Sequence, residues 1–305
     1  MSSLSSSLKA LIGAPHARPG PLAVSSPQLR AVLSSIASEA SSHQLSPRPW
    51  IALSAAALFA LNAPDGLPIL HALASSSSSS SSSPPSSSSQ EPVVAAELIR
   101  EVGLKCISFN GIPRSINGLN AFRASLPAPV ASRLRTTPTR SSSSPSSPSP
   151  SSPSSDAETL SRGRRLWHSV YAPLDNKLIA KLALAHPDLP VVILQSHYGP
   201  LLADPPPRTS SPGSVGRLLT SVVAVAALRA QSGVAPQVVS HVLGLRKGVA
   251  DGSYRADEPC EGEGGARWLA SDEGGEWILR SVDRIVEVVG GGGGASFGAP
   301  REVKI

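Results

Sequence analysis

The chain offers few residues with the type and setting for chemistry, and His241 is the best placed of them. It shares a helical stripe with Val234, Val238 and Leu245, so its imidazole points where the aliphatic side chains point. A histidine on such a face either packs in the core or, with a pKa near neutrality, moves a proton. Cys106 sits in "KCISFNGIPRSINGLNAF" (105–122), on a stripe with Leu98, Val102 and Phe109. That position reads as a small buried hydrophobe; thiol chemistry would require access and a neighbouring base. Cys260, in "DEPCEGEG", is expected at the surface, where the acids around it raise its pKa and blunt it. Glu97 and Glu101 lie four apart on one helix face, the spacing of an acid–base pair, although a solvated face is the plainer reading. Asn117 and Asn120 either line a polar pocket or face solvent, and His197-Tyr198 is a second polar point or a satisfied turn. His71, His168 and His186 have no partners at ligand spacing, and no phosphate-cradling glycine loop occurs, so neither metal nor cofactor is expected.

The elements that must position these residues read as helices. Residues 27–43 space Leu29, Val32, Leu33 and Ile36 three or four apart after Ser25 and Ser26 as caps; 49–62 is apolar all round, hence central. Residues 91–109 carry the Cys106 stripe, and 112–126 opens with proline where its missing N–H is harmless. Further helical patterns cover 156–171, 173–187, 215–233, 234–248 and 274–290. The run 188–202 contains β-branched "VVIL", but a lone strand would have no partner, so it is assigned to helix. Between these lie 74–90, 136–156, 203–213 and 250–273, rich in Ser/Pro or in Gly and acids, and read as disordered inserts with nothing to bury. Inserts lengthen loops at small entropic cost, so 22–290 is expected to form one domain, flanked by a disordered or targeting tail (1–21) and a flexible tail (291–305).

The 305 residues carry a net charge of +6, yet the Arg and Lys residues are scattered without an aromatic-flanked basic cluster, so nucleic acid is not an expected partner. Two distant cysteines make no disulfide framework and suit a reducing, intracellular compartment. "WIALSAAALFALNAP" is too short to span a bilayer, so no membrane span is expected. The Ser-rich start, with Lys9 and Arg18 and no acid before Glu39, is compatible with a mitochondrial transit peptide or a plain tail, and "REVKI" only loosely approaches a peroxisomal address. The cytoplasm is the remaining expectation.

Two segments look alike: a helix then "NGIPRSINGLNAFRASL", and a helix then "SGVAPQVVSHVLGLRKG". In each a glycine (Gly111, Gly233) is placed to end the first helix, an aliphatic residue and a proline follow, and a short helix completes the pair. A diverged repeat of a helical hairpin is the economical reading. The segment "GRLLTSVVAVAALRAQSGVAPQVVSHVLGLRKG" resembles the core hairpin of the alkylhydroperoxidase D-like and carboxymuconolactone decarboxylase superfamily, and "LKCISFNGIPRSINGLNAFRASL" is similar to its aliphatic–Gly–Val/Ile–Pro turn. "GRRLWHSVYAPLDNKLIAKLALAHPDLPVVILQSHYGPLL" further resembles an uncharacterised, largely fungal branch. The resemblance implies an all-α helical bundle built from two hairpin repeats, assembled as a homo-oligomer.

The peroxidase branch of that superfamily carries Glu, then Cys-x-x-Cys, then His a turn later. Here Phe109 stands three residues after Cys106, and "QVVSH" holds no cysteine before His241, so a dithiol cycle is not expected. The decarboxylase branch has its histidine at the place of His241 and an acid near the start of the preceding helix, where this chain has Arg217. Arg217 departs from the acid–base pair but could hold a carboxylate substrate. Three readings follow: an enzyme acting on a small organic acid or lactone through His241 and Arg217, a non-catalytic helical oligomer that binds a partner or small ligand, and a thiol peroxidase using Cys106.

Overall fold

A computed structural model describes residues 4–15, 20–76, 91–140, 155–205, 213–256 and 261–290, and among these every regular element is helical. The elements in chain order are α1 (Ser6–Ile12), α2 (Ser26–Ser42), α3 (Pro47–Ala60), α4 (Gly66–Ser76), α5 (Glu91–Lys105), α6 (Ile107–Asn110), α7 (Ile112–Ser125) and α8 (Ala128–Ala131). There follow α9 (Ser155–Tyr171), α10 (Asp175–Ala185), α11 (Leu189–Val192), the π-helix π1 (Ile193–Leu202), α12 (Gly216–Gln231), α13 (Ala235–Ala250), the 3₁₀ turn Ser253–Ala256, α14 (Glu263–Leu269) and α15 (Asp272–Val289).

The centre is a pair, α3 against α12, and composition explains why these two are inside. Every residue of α3 from Pro49 to Ala60 is buried, as are all from Gly216 to Leu228 in α12. Both are short-side-chain helices, Ala55–Ala57 in one and Ala224, Ala226 and Ala227 in the other, which lets them pack closely in the same core. Around them α2 turns inward the stripe Leu29, Leu33, Ile36 and Ala40, and α15 contributes Ile278, Val282 and Ile285. Ser46 and Ser271 begin α3 and α15 by accepting from the Arg48 and Gly274 amides. A second, smaller cluster, Trp167, Leu194, Tyr198 and Leu202, joins α9 to π1. Gly163 and Gly199 permit that contact: a Cβ on Gly163 would lie 2.6 Å from the Gly199 nitrogen, and one on Gly199 would lie 2.8 Å from the Thr159 carbonyl oxygen.

Several sequence expectations change at this level. The helix expected over 91–109 breaks after Lys105 and resumes as α6. Gly111 has φ 81°, ψ 165°, an extended conformation that favours glycine rather than the left-handed helical one, and it directly caps α7. In the second pair Ser232 holds the comparable backbone, φ 60°, ψ 166°, and Gly233 and Val234 intervene before α13. The two turns therefore differ in length. The excursion expected over 250–273 is not disordered where described: it holds α14, with Ala266 and Leu269 in the core, and Glu261 accepts from the Ser46 amide and hydroxyl at 2.7 Å each. Helix α4, on the stripe Leu67, Leu70, His71 and Ala74, extends three residues into the 74–90 insert. The remainder of that insert, Cys260 and the 291–305 tail lie outside the described residues.

Candidate functional site

The polar centre of the molecule lies where α9, π1, α12 and α13 meet. π1 is the local cause. Its wider turns, with Pro200 inside them, bury Tyr198 and Gly199 together; π-helical insertions of this kind are frequent at functional sites. Tyr198 and Tyr171, at the end of α9, share a hydrogen bond between their hydroxyls at 3.0 Å. The Tyr171 hydroxyl is also 3.5 Å from Nε2 of His241. Trp167 backs both tyrosines, its ring centroid 4.2 Å from Tyr171 and 4.9 Å from Tyr198, while Phe109 meets the His241 ring edge-on at 6.0 Å.

His241 is thus brought inward, 7% exposed, as its stripe requires. Burial first, and the nearby Arg217 guanidinium second, push its pKa down from 6.5 to about 4, so the imidazole is neutral at physiological pH. Burial also raises Tyr171 and Tyr198, which stay protonated. The arrangement is a chain of hydroxyl, hydroxyl and neutral imidazole, capable of passing a proton but poor at keeping one.

Arg217 is 4% exposed. Its Nε and Nη1 donate to the Ser169 and Ser221 hydroxyls at 2.7 Å, and Nη2 donates to the Gly244 and Ser169 carbonyls at 2.8 and 3.1 Å. It therefore ties α12 to α9 and α13. Three cavities flank the centre. One of about 480 Å³ is walled by Tyr171, Val170, Leu174, Leu178 and Leu243, with Lys177, Lys181 and Lys247 also in its lining. A second of about 280 Å³ has Arg217 in its wall, and a third of about 690 Å³ lies between α9 and the end of α13. No one of these three cavities has both His241 and Arg217 in its wall. Arg217 lines one cavity, and His241 reaches another only through Tyr171.

Cys106 is fully buried, and burial pushes its thiol far above the usual range. Burial and a raised pKa both disfavour the thiolate that peroxide chemistry requires, in line with the packing role its stripe suggests. Glu97 and Glu101 are buried rather than on a solvated face. Glu97 accepts from the Arg135 amide at 2.7 Å and from Arg100 at 2.9 Å, and Glu101 is paired with Arg140. They pin residues 135–140 to α5. Asn117 and Asn120 face solvent, Asn117 donating to Asn62 at 3.1 Å. His197 is within 3.2 Å of the Ser108 hydroxyl. His71 points Nε2 at the Pro92 carbonyl, 2.8 Å away.

Sequence reasoning missed Tyr171 and the buried pair Lys105 and Asp204. Lys105, 0% exposed, donates to the Leu202 carbonyl and lies 2.6 Å from Asp204, whose other oxygen accepts from the Gly216 amide at 2.6 Å. Asp204 and Gly216 are twelve residues apart across a Pro-rich stretch, so no local pattern joined them. No helix among the described residues is long and apolar enough to cross a membrane.

No protein-family model matches the chain, and no solved structure does. Among curated proteins it is similar to Peroxisomal protein 2 of Saccharomyces cerevisiae, 30% identical over 156 residues, which cover 48% of this chain and 52% of that protein. The chain thus spans about half the length of the curated relative it matches.

Proposed function

We propose that the chain is an alkylhydroperoxidase D-like, carboxymuconolactone decarboxylase-like protein without the redox Cys-x-x-Cys, acting on a small organic acid or lactone by proton transfer. The observation that carries this reading is the Tyr171 hydroxyl, which belongs to a residue in the wall of the 480 Å³ cavity and stands 3.5 Å from the neutral imidazole of His241. In the proposed step a proton leaves the substrate for the Tyr171 oxygen as the tyrosine proton passes to Nε2 of His241. The reverse transfer returns it to the product. Lys177 and Lys181 at the cavity attract the acid group, while Lys247 is paired with Asp251 at 2.7 Å. A carboxylate brought close also offsets the field of Arg217 and raises the basicity of His241 toward the working pH. The peroxisome is the proposed location, supported by the name of the yeast relative.

The test is proton exchange. The full chain is incubated in D₂O with a panel of γ-lactones, 3-oxo acids and short dicarboxylates, and ¹H NMR follows loss of the acidic C–H signal or of CO₂. Exchange or turnover that Tyr171→Phe reduces by about 10²-fold or more is expected. A panel untouched by the wild-type protein, or turnover unchanged in Tyr171→Phe, rejects the reading.

A non-catalytic homo-oligomer is the second reading, favoured by one observation: Leu174, Leu184, Val191, Val192, Val239 and Leu243 are exposed on α10, α11 and α13 and the link before α10. A monomer by light scattering, unchanged by Leu243→Lys, rejects it.

A further inference from the structure

The 280 Å³ cavity between α9, the end of π1 and α12 has a wall that the reaction above does not use. Three guanidiniums, Arg162, Arg165 and Arg217, face it together with the hydroxyl-bearing Ser169, Thr220 and Ser253. One carboxylate, Asp204, is also in the wall, but its oxygens are taken by Lys105 and by the Gly216 amide. The wall is therefore net positive. Arg217 is held rigidly by four hydrogen bonds at the floor, so its charge cannot swing out to water. Arg162 is half-buried: its terminal nitrogens reach Thr159 at 3.2 Å and Glu158 at 3.4 Å, while its Nε is buried without a hydrogen-bond partner among the described residues. Arg162 and Arg165 thus line the cavity with guanidinium donors, groups suited to an oxyanion acceptor. Arg165, more exposed, stands at the mouth, with Nη1 on Ser161 at 2.8 Å.

We infer that this cavity is a binding site for a small oxyanion, a phosphate or carboxylate group, held by Arg162 and Arg165 over the fixed charge of Arg217. The planar fork of arginine matches both anions, and the volume admits a compact molecule of few heavy atoms rather than a chain. The inference is separate from the proposed reaction, since neither Tyr171 nor His241 is in this wall. It has a consequence for that reaction all the same. Arg217 lies in this wall and is, after burial, the second cause of the lowered pKa of His241, so an anion against it lifts that pKa part of the way back.

The test is binding of inorganic phosphate, glycerol phosphate and succinate to the full chain at constant ionic strength, by isothermal titration calorimetry and thermal melting, with chloride as control. Saturable binding is expected, weakened about tenfold or more by Arg162→Gln and by Arg165→Gln, as loss of a charge-assisted pair implies. Arg165→Gln, at an exposed position, keeps the test valid if the Arg162 variant does not fold. Tighter glycerol phosphate than phosphate identifies a phosphorylated metabolite, equal affinity a free anion, and a preference for succinate a carboxylate. Binding no stronger than chloride, or equal in Arg165→Gln, overturns the inference. Phosphate binding with no turnover anywhere would leave this site standing and reject the reaction alone.

Discussion

His241 should make the protein less stable as pH falls through the histidine range, and the effect can be sized. In the unfolded chain its pKa is near 6.5; in the fold, burial and Arg217 lower it to about 4. Above pH 6.5 the imidazole is neutral in both states and contributes no pH dependence. Below it the unfolded chain takes up a proton that the folded protein refuses, so stability falls with pH until about pH 4. The full loss is roughly 3 kcal/mol, and by pH 5 it is already about 2 kcal/mol, a sizeable share of the ~5–15 kcal/mol typical of domains. Urea unfolding followed by circular dichroism at pH 8, 7, 6 and 5 measures it, comparing wild type with His241→Leu. Other histidines, His71 included, contribute equally to both proteins and cancel in the difference. Changed packing in the leucine variant adds only a pH-independent constant, and the wild type should lose about 2 kcal/mol relative to it between pH 8 and pH 5. A difference that stays flat over that range, or an imidazole NMR signal of His241 titrating near 6.5, would refute the account of a neutral, desolvated histidine and with it the proposed base.

Lys105→Met leaves Asp204 buried without its cation and should destabilise by about 3–5 kcal/mol, whereas the double change with Asp204→Leu should recover part of that; chemical denaturation of the three proteins reads it. Gly103→Ala and Gly118→Ala should each lower stability by about 1–3 kcal/mol, opposite in sign to helix propensity, because a Cβ at either site would lie 2.4 Å from the Phe59 ring; melting temperatures decide the sign. Iodoacetamide should label Cys106 in the native protein only at the rate of unfolding, seen by peptide mass spectrometry, and prompt labelling would contradict its burial.

The helices that were legible in the sequence are those whose own periodicity carries the information. The stripe of α2 and the all-round apolarity of α3 name their burial without reference to any partner. Helices α4 and α14 were not legible, the one running into a serine tract and the other starting in glycine and glutamate, where composition outweighs a short stripe. Glu97 and Glu101 show the complementary limit. Four-residue spacing placed them correctly on one face, but what covers that face is residues 135–140, at the edge of a Ser/Pro tract that promised nothing to bury. His241 was found because its stripe is local. Tyr171 and Tyr198 were not joined to it because their contact depends on a π-helix, and a single extra residue per turn leaves no trace in periodicity.

That π-helix also explains why the buried polar groups gather in one place instead of being scattered through an aliphatic bundle. Widening the helix at Ile193–Leu202 lets Tyr198 face inward while Gly199 lies against α9, and it leaves the Leu202 carbonyl for Lys105. Lys105 in turn fixes Asp204, which holds the Gly216 amide at the start of the helix that carries Arg217. The two tyrosines and the arginine are thus positioned by one connected set of contacts, running from α5 through π1 to α12. A carboxylate-held lysine with no exposed surface is poor value as a source of stability, since apolar replacements often do as well. Its effect here is positional: it couples the register of π1 to the start of α12, and so sets where Tyr198, Tyr171 and Arg217 stand around His241.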